Sequence, residues 1–170
     1  AWVTLVGAKL TVKRKQDGSI TIVGLKASDD QPLWLLQGGK YEVLQSEVTW
    51  QDEKRNSRPL KFEAVDLVII NNNQQHRLNV FMRLPKRFGD TLTVSMNLTG
   101  NVFKTSALDG TIFLEGKKLN LSEWVTIDLP ASMNIHSGTG DVRVWSELQS
   151  SQMVSLVGDT QLQQLQLSRP

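Results

Sequence analysis

Two stretches in the middle of this 170-residue chain, residues 76–84 and 91–99, alternate between apolar and polar residues, with Phe81 the one apolar residue among the polar positions. Successive side chains of an extended strand point to opposite faces, so this pattern predicts two half-buried β-strands rather than helices. Pro85, Gly89 and Asp90 lie between them, and turn residues in that position predict an antiparallel hairpin. The apolar positions of the two strands are Leu78, Val80, Met82, Leu84, Leu92, Val94, Met96 and Leu98.

Weaker alternation continues on both sides of this hairpin. Residues 10–12 and 20–22 flank a turn at Gln16, Asp17 and Gly18, which predicts a first hairpin. Between residues 60 and 70 the apolar positions slip by one residue, which predicts a β-bulge near Glu63 and Ala64. Further strands are predicted at residues 47–51, 111–115, 141–146, 152–158 and 161–167.

Two segments depart from the alternation and predict short helices. Residues 30–37 contain Pro32 near the start and are followed by two glycines. Residues 121–127 begin near Ser122, a residue type that caps helix N-termini. Because short turns join the strands and no linker divides the chain, residues 1–170 are predicted to form one mainly β unit. We expect an antiparallel meander of strands with two short helices.

Few residues in the chain suggest catalysis or metal binding. The absence of cysteine excludes disulfides, zinc-finger sites and a thiol nucleophile. The two histidines, His76 and His136, lack metal-ligand spacing and are predicted to be surface or turn residues. Residues 137–141 lack the Lys-Ser/Thr ending of a phosphate loop and predict a hairpin turn. No catalytic residue, metal ligand or cofactor is predicted, and an enzyme ranks last, although a dispersed Ser-His-Asp triad stays open.

The charge balance argues against a nucleic-acid partner, since 19 Lys and Arg face 17 Asp and Glu for a net charge of +2. No window is apolar over the roughly 18 residues that a membrane-spanning helix needs. The chain starts without Met and runs directly into patterned sequence, so we expect an excised piece or a mature product.

The apolar face of the predicted sheet has two interpretations. A sheet of this kind buries one face against a second layer, so periodicity alone favours a closed β-sandwich core over an open, ligand-lined groove. The five tryptophans have two interpretations as well: anchors of the core, which is favoured, or exposed rings that stack on sugars.

Dispersed turn and strand motifs resemble one protein family over most of the chain. They are VTWQD at 48–52, the strand 60–70, QHRL at 75–78, LP at 84–85, GD at 89–90, LTG at 98–100, LDG at 108–110, LNL at 119–121 with Trp124, GTGD at 138–141 and VW at 144–145. This set resembles the YhdP-type branch of the AsmA-like envelope proteins. The resemblance implies a long protein, anchored in the inner membrane by an N-terminal helix, whose curled β-sheet crosses the periplasm and moves phospholipids towards the outer membrane.

Under this resemblance the chain is an internal segment, from the N-terminal half, of such a periplasmic bridge. The fold that the resemblance implies is one curved antiparallel meander sheet, groove-like or taco-like, with two short helices, so an open groove is favoured over a closed core. Its implied partners are phospholipid acyl chains, neighbouring β-segments of the same longer chain, and the two membranes at the ends of the full-length protein. The alternatives are a structural β-scaffold that pairs through its edge strands, or a peptidoglycan-binding β-sandwich, both without lipid. The residues predicted to line the groove are Leu78, Val80, Met82, Leu84, Leu92, Val94, Met96, Leu98, Ile112, Leu114, Val142 and Val144.

Overall fold

A computed structural model describes residues 2–24, 38–72, 74–101, 107–124 and 134–168. Almost all of these residues lie in strands. The elements are β1 (Trp2–Val6), β2 (Lys9–Arg14), β3 (Ile20–Val23), β4 (Gly39–Asp52), β5 (Leu60–Asn72), β6 (Gln75–Arg83), β7 (Thr91–Thr99), β8 (Asp109–Asn120), α1 (Leu121–Trp124), β9 (Asn134–Gln149) and β10 (Gln152–Ser168).

The ten strands form one open, curved sheet in the order β10-β9-β8-β7-β6-β5-β4-β2-β3, and β1 also pairs with β4. Consecutive strands from β4 to β10 pair antiparallel, and so does the predicted first hairpin, β2 with β3. However, β1 and β2 both run parallel to β4. The prediction of a wholly antiparallel meander is therefore wrong, because alternation determines which way side chains point but not the direction of the neighbouring strand.

A joint between β1 and β2 lets both strands follow the same long partner. The Ala8 backbone N–H donates to the Ser46 hydroxyl at 2.9 Å, and the Glu47 N–H donates to the Ala8 carbonyl at 2.9 Å. Gln45, immediately before, has a positive φ of 48°, and the β4–β5 register shifts there. The kink between the two short strands thus coincides with a bulge in β4.

The bulge predicted near Glu63 and Ala64 is confirmed. Ala64 has a φ of 47°, and the register between β5 and β6 shifts between Glu63 and Asp66. One extra residue in a strand restores the face that a one-residue slip would otherwise reverse. Consequently Phe62 and Val65 both line the same cavity, although they are three positions apart.

The described residues contain one short helix rather than two. The helix predicted at residues 30–37 lies outside the described residues, and so do positions 125–127 of the second predicted helix. That second helix, α1, begins at Leu121. Ser122 is therefore inside its first turn, where its hydroxyl donates to the Asn120 side chain at 2.9 Å, and Asn120 occupies the capping position instead.

Two other local predictions are wrong. Residues 137–141 lie inside β9 rather than in a hairpin turn, and residues 152–158 and 161–167 belong to one strand, β10. The glycine at 140 leaves room for the neighbouring strand, since a Cβ there would lie 2.8 Å from Leu162 Cδ2. A glycine required for this close approach looks in the sequence like a turn signal.

The buried core is small and lies at one end of the sheet. Leu84, Leu119 and Leu121 pack together where the β6–β7 connection meets α1, and partly buried side chains including Met82 and Val142 surround them. Every described strand belongs to the single sheet, so no second sheet covers it. The closed β-sandwich is therefore wrong for the described part of the chain, and most apolar side chains remain partly exposed.

A carboxylate at the beginning of β4 holds β1 against the sheet. Glu42 forms an ion pair with Lys40 at 2.7 Å and accepts hydrogen bonds from Thr4 at 2.9 Å and from the Trp2 indole at 3.2 Å. The hydrogen bond from Lys40, followed by those from Thr4 and Trp2, lowers the pKa of Glu42 below its ordinary value of 4.5. In the folded chain, these bonds favour the charged form of the Glu42 side chain.

We therefore expect the contribution of Glu42 to stability to disappear in acid. A lowered pKa in the folded state stabilises the fold above pH 4.5, and this stabilisation is lost as the pH falls through the folded value. The melting temperature of the unmodified chain should fall more steeply below that pH than that of Glu42→Gln. Glu53→Gln, in the exposed turn after β4, is the matched control. Identical pH profiles for Glu42→Gln and the unmodified chain would contradict this role.

Candidate functional site

Strand register brings the twelve predicted groove residues onto one face of the sheet. Val80 pairs with Val94, Val94 with Leu114, and Leu114 with Val144, which makes one apolar row across four strands. The other predicted groove residues lie in neighbouring cross-strand rows on the same face. We call this side the apolar face; its predicted members are Leu78, Val80, Met82, Leu84, Leu92, Val94, Met96, Leu98, Ile112, Leu114, Val142 and Val144.

The apolar face extends further than the sequence predicted, across β1 to β5. Leu67 and Ile69 pair with Val80 and Leu78, and the pairing continues through β4 to β1 and β2. The bulges at Gln45 and Ala64 keep both halves of β4 and β5 on this side. Residues missed by the sequence analysis are Val3, Leu5, Leu10, Val12, Ile22, Tyr41, Val43, Val48, Trp50, Leu60, Phe62, Val65, Leu67 and Ile69.

Curvature of the sheet encloses part of this face as a cavity of about 570 Å³. That volume is in the usual range for a small-molecule site. Its walls are almost wholly apolar, extend from β1 to β7, and end at Trp124. Of the predicted residues, Val80, Met82, Leu84 and Leu92 line the cavity. The other eight lie on the apolar face but not on the cavity wall: Leu78, Val94, Met96, Leu98, Ile112, Leu114, Val142 and Val144.

The β6–β7 connection and α1 close one end of the cavity. The Trp124 indole N–H donates to the Phe88 carbonyl at 2.7 Å, and the two rings meet edge to face with centroids 5.6 Å apart. Arg87 lies 4.4 Å from the centre of the Phe88 ring and pairs with Glu123 at 3.7 Å. The charged groups thus lie on the outside of this cap while the Phe88 and Trp124 rings line the cavity.

Polar groups on the apolar face are few. His76, predicted to be on the surface, is 8% exposed; its Nδ1 lies 2.8 Å from Asn71 Oδ1 and its Nε2 3.1 Å from the Gly100 carbonyl. It lies beside Leu98 in the register, at the opposite end of β6 from Leu84. The prediction is wrong for His76 because its two ring nitrogens find partners on β5 and after β7. His136 is exposed, as predicted.

Most of the described tryptophans are not core anchors. Trp2, Trp124 and Trp145 are exposed, Trp50 is half-buried on the cavity wall, and Trp34 lies outside the described residues. Because the described residues place no second layer over the sheet, a large ring can contribute to one face without becoming buried. The preference for core anchoring is therefore wrong for the three exposed residues.

Among the described residues, no group of three or more His, Cys, Asp or Glu side chains is arranged to hold a metal ion. Within the same residues, no helix has the length and apolar character needed to cross a membrane. The chemistry that the apolar face offers is the removal of hydrocarbon from water, which is worth about 0.8 kcal/mol for each methylene group.

The sequence model of one protein family, described as YhdP protein, matches residues 2–170. No curated protein and no solved structure gives a significant match. The family match covers both halves of the apolar face, including the β1 to β5 half that the sequence patterns left out.

Proposed function

The chain belongs to the YhdP family, and we propose from this membership that it is one segment of an AsmA-like bridge that moves phospholipids between the inner and outer membranes. In this proposal the bridge is anchored in the inner membrane and this segment lies in the periplasm. Its biological effect is to maintain the permeability barrier of the outer membrane. The observation that carries the proposal is the apolar cavity that the curved sheet encloses.

The geometry suits acyl chains better than a compact ligand. The apolar face continues past the cavity across β7, β8 and β9, so hydrocarbon has one surface along which to lie. Side chains on this face are mostly half-buried rather than sealed in a core. A phospholipid bound here keeps its acyl chains on the apolar face while its headgroup stays in water. Because the wall is nearly uniform in its apolar character, no single position on it binds the acyl chains much more tightly than the others.

Lipid extraction tests this proposal directly. We expect the folded chain, purified without detergent, to carry phospholipid in near-stoichiometric amounts, measured by mass spectrometry of a chloroform extract. After delipidation, it should take up a fluorescent phospholipid from vesicles. A stable, folded chain that carries no lipid and takes up none would contradict the proposal.

A scaffold function is the second candidate, favoured by the edge of the sheet. Strand β10 is 17 residues long and exposes apolar side chains, with Leu156 62% exposed. Of the described strands, only β9 pairs with it. An unprotected edge of this length is a template for another strand. If the segment serves only as a scaffold, the chain will associate through this edge in light scattering and carry no lipid.

A further inference from the structure

The side of the sheet opposite to the apolar face carries a cleft of its own, of about 450 Å³. Strand register builds it from two adjacent rows. In one row Phe113 pairs with Trp145, and in the other Thr111 pairs with Glu147. Most polar side chains of the cleft come from β6 to β9, namely Arg77, Asn79, Ser95, Asn97, Thr111 and Glu147. Ser155 of β10 borders the cleft too, as do Met96, Ile112 and Ser146, which lie between the two rows.

An aromatic platform forms part of the cleft. The rings of Phe113 and Trp145 lie 5.3 Å apart at 43°, and Trp145 is 41% exposed. The Arg143 guanidinium lies 5.8 Å from the Trp145 ring centre and pairs with Asp159. An indole ring held in place by a neighbouring ring, yet open to solvent on the side of the cleft, is a rigid stacking surface.

Hydrogen-bonding groups surround this platform and remain available. Among the described residues, neither the Asn79 nor the Asn97 side chain makes a hydrogen bond. Each amide supplies both a donor and an acceptor, and the Ser95 and Thr111 hydroxyls do the same. Arg77 and Glu147 are the charged groups in the cleft, and their charges cancel.

We propose that this cleft binds a neutral oligosaccharide of N-acetylated amino sugars. The C–H face of a pyranose ring is apolar and stacks on Trp145, while its hydroxyl groups reach polar side chains on both sides. The acetamido group of such a sugar pairs with a carboxamide through one N–H and one carbonyl, which suits Asn79 and Asn97. A hydrocarbon chain would leave those amides unpaired, and a polyanion would require a net positive surface.

Titration with tetra-N-acetylchitotetraose, followed by NMR of the tryptophan indole N–H groups, tests the proposal. We expect a saturable shift of the Trp145 resonance at millimolar sugar. Trp145→Ala should weaken binding about tenfold, the value of one good aromatic contact, with binding then followed at backbone amides of β8 and β9. Asn97→Ala should weaken it several-fold. Trp2→Ala is the matched control, since Trp2 is 72% exposed with Lys40 5.1 Å from its ring, but it lies outside the cleft.

Three results would overturn the proposal. The first is the absence of any saturable shift in the folded chain. The second is equal binding by the unmodified chain and Trp145→Ala. The third is equal affinity for cellotetraose, which lacks acetamido groups and would remove the assignment to amino sugars. Phospholipid uptake at the apolar face is measured separately, so this site and the proposed function can fail independently.

Discussion

Replacing Val80 by arginine should reduce the phospholipid that co-purifies with the chain by at least tenfold. Val80 lines the cavity, with Leu67 opposite on β5 and Val94 opposite on β7. A charged side chain surrounded by hydrocarbon costs about 3 kcal/mol, which corresponds to about a hundredfold in affinity. Mass spectrometry of the extracted lipid gives the amount, and uptake of a fluorescent phospholipid gives the affinity.

Phe81→Arg is the matched control for this experiment. Phe81 is the next residue of β6, faces the other side of the sheet and is 41% exposed, so the same charge enters the same strand away from the cavity. We expect this variant to retain its lipid and its melting temperature. If Val80→Arg stays folded and still carries lipid in normal amounts, the cavity is not the binding site.

Val94→Arg then measures how far the lipid extends. Val94 lies beside Val80 in the same apolar row but is not part of the cavity wall. If acyl chains continue across β7 to β9, this variant should lose lipid as Val80→Arg does. If Val94→Arg retains lipid while Val80→Arg loses it, binding is confined to the cavity, and the predicted residues of β8 and β9 do not contact acyl chains.

The part of the fold that could be predicted from the sequence is the part with uninterrupted alternation. Strands β6 and β7 form the predicted hairpin, Gln75–Arg83 with Thr91–Thr99. Apart from Phe81, one side of each strand is polar, and a shift of the pairing by one residue would turn the apolar side chains away from the apolar face. The bulge at Ala64 was also predictable, since the apolar positions of β5 change parity within one strand.

The half of the apolar face on β1 to β4 was not predictable in the same way. Strand β4 bulges at Gln45, so Val43 and Val48 share a face at a spacing that no regular strand gives. Strands β1 and β2 pair with β4 in parallel. Whether two strands pair in parallel depends on the connection between them and not on the apolar pattern within each strand. The cavity is largely built from these strands, so the prediction located the face but not its enclosed part.

Side-chain environment was predicted least well, for one physical reason. A tryptophan or histidine is assigned to core or surface by its average behaviour in globular proteins, which have two packed layers. Here the described strands form one sheet, so the burial of such a side chain depends on its neighbours on the adjacent strands. Trp145 lies beside Phe113 on an open face, whereas His76 is buried because Asn71 and Gly100 surround it.

A methyl group added at Gly110 should destabilise the sheet by about 3 kcal/mol or more, through strain and a clash with the backbone. Gly110 has a φ of 148°, and a Cβ there would lie 2.0 Å from the Asn97 carbonyl oxygen and 2.9 Å from Leu98 Cα. Gly110 pairs with Leu98 of β7 and with Leu148 of β9. The backbone on both sides is therefore held by strand pairing and cannot shift to relieve the clash. For a chain of this size we expect Gly110→Ala to lower the melting temperature by about 10 °C.

Gly158→Ala is the matched control, because that glycine also lies in a strand but meets nothing closer than the Arg143 carbonyl at 3.9 Å. We expect a neutral or slightly stabilising effect there, since alanine restricts the unfolded chain without a clash. A small effect at Gly110 would mean that β7 and β8 separate locally at little cost. The cross-strand pairing that aligns the apolar side chains of β6 to β9 would then be weak at this end of the sheet. A large loss at Gly110 with none at Gly158 would show instead that this end of the sheet is tightly packed, which a continuous apolar surface requires.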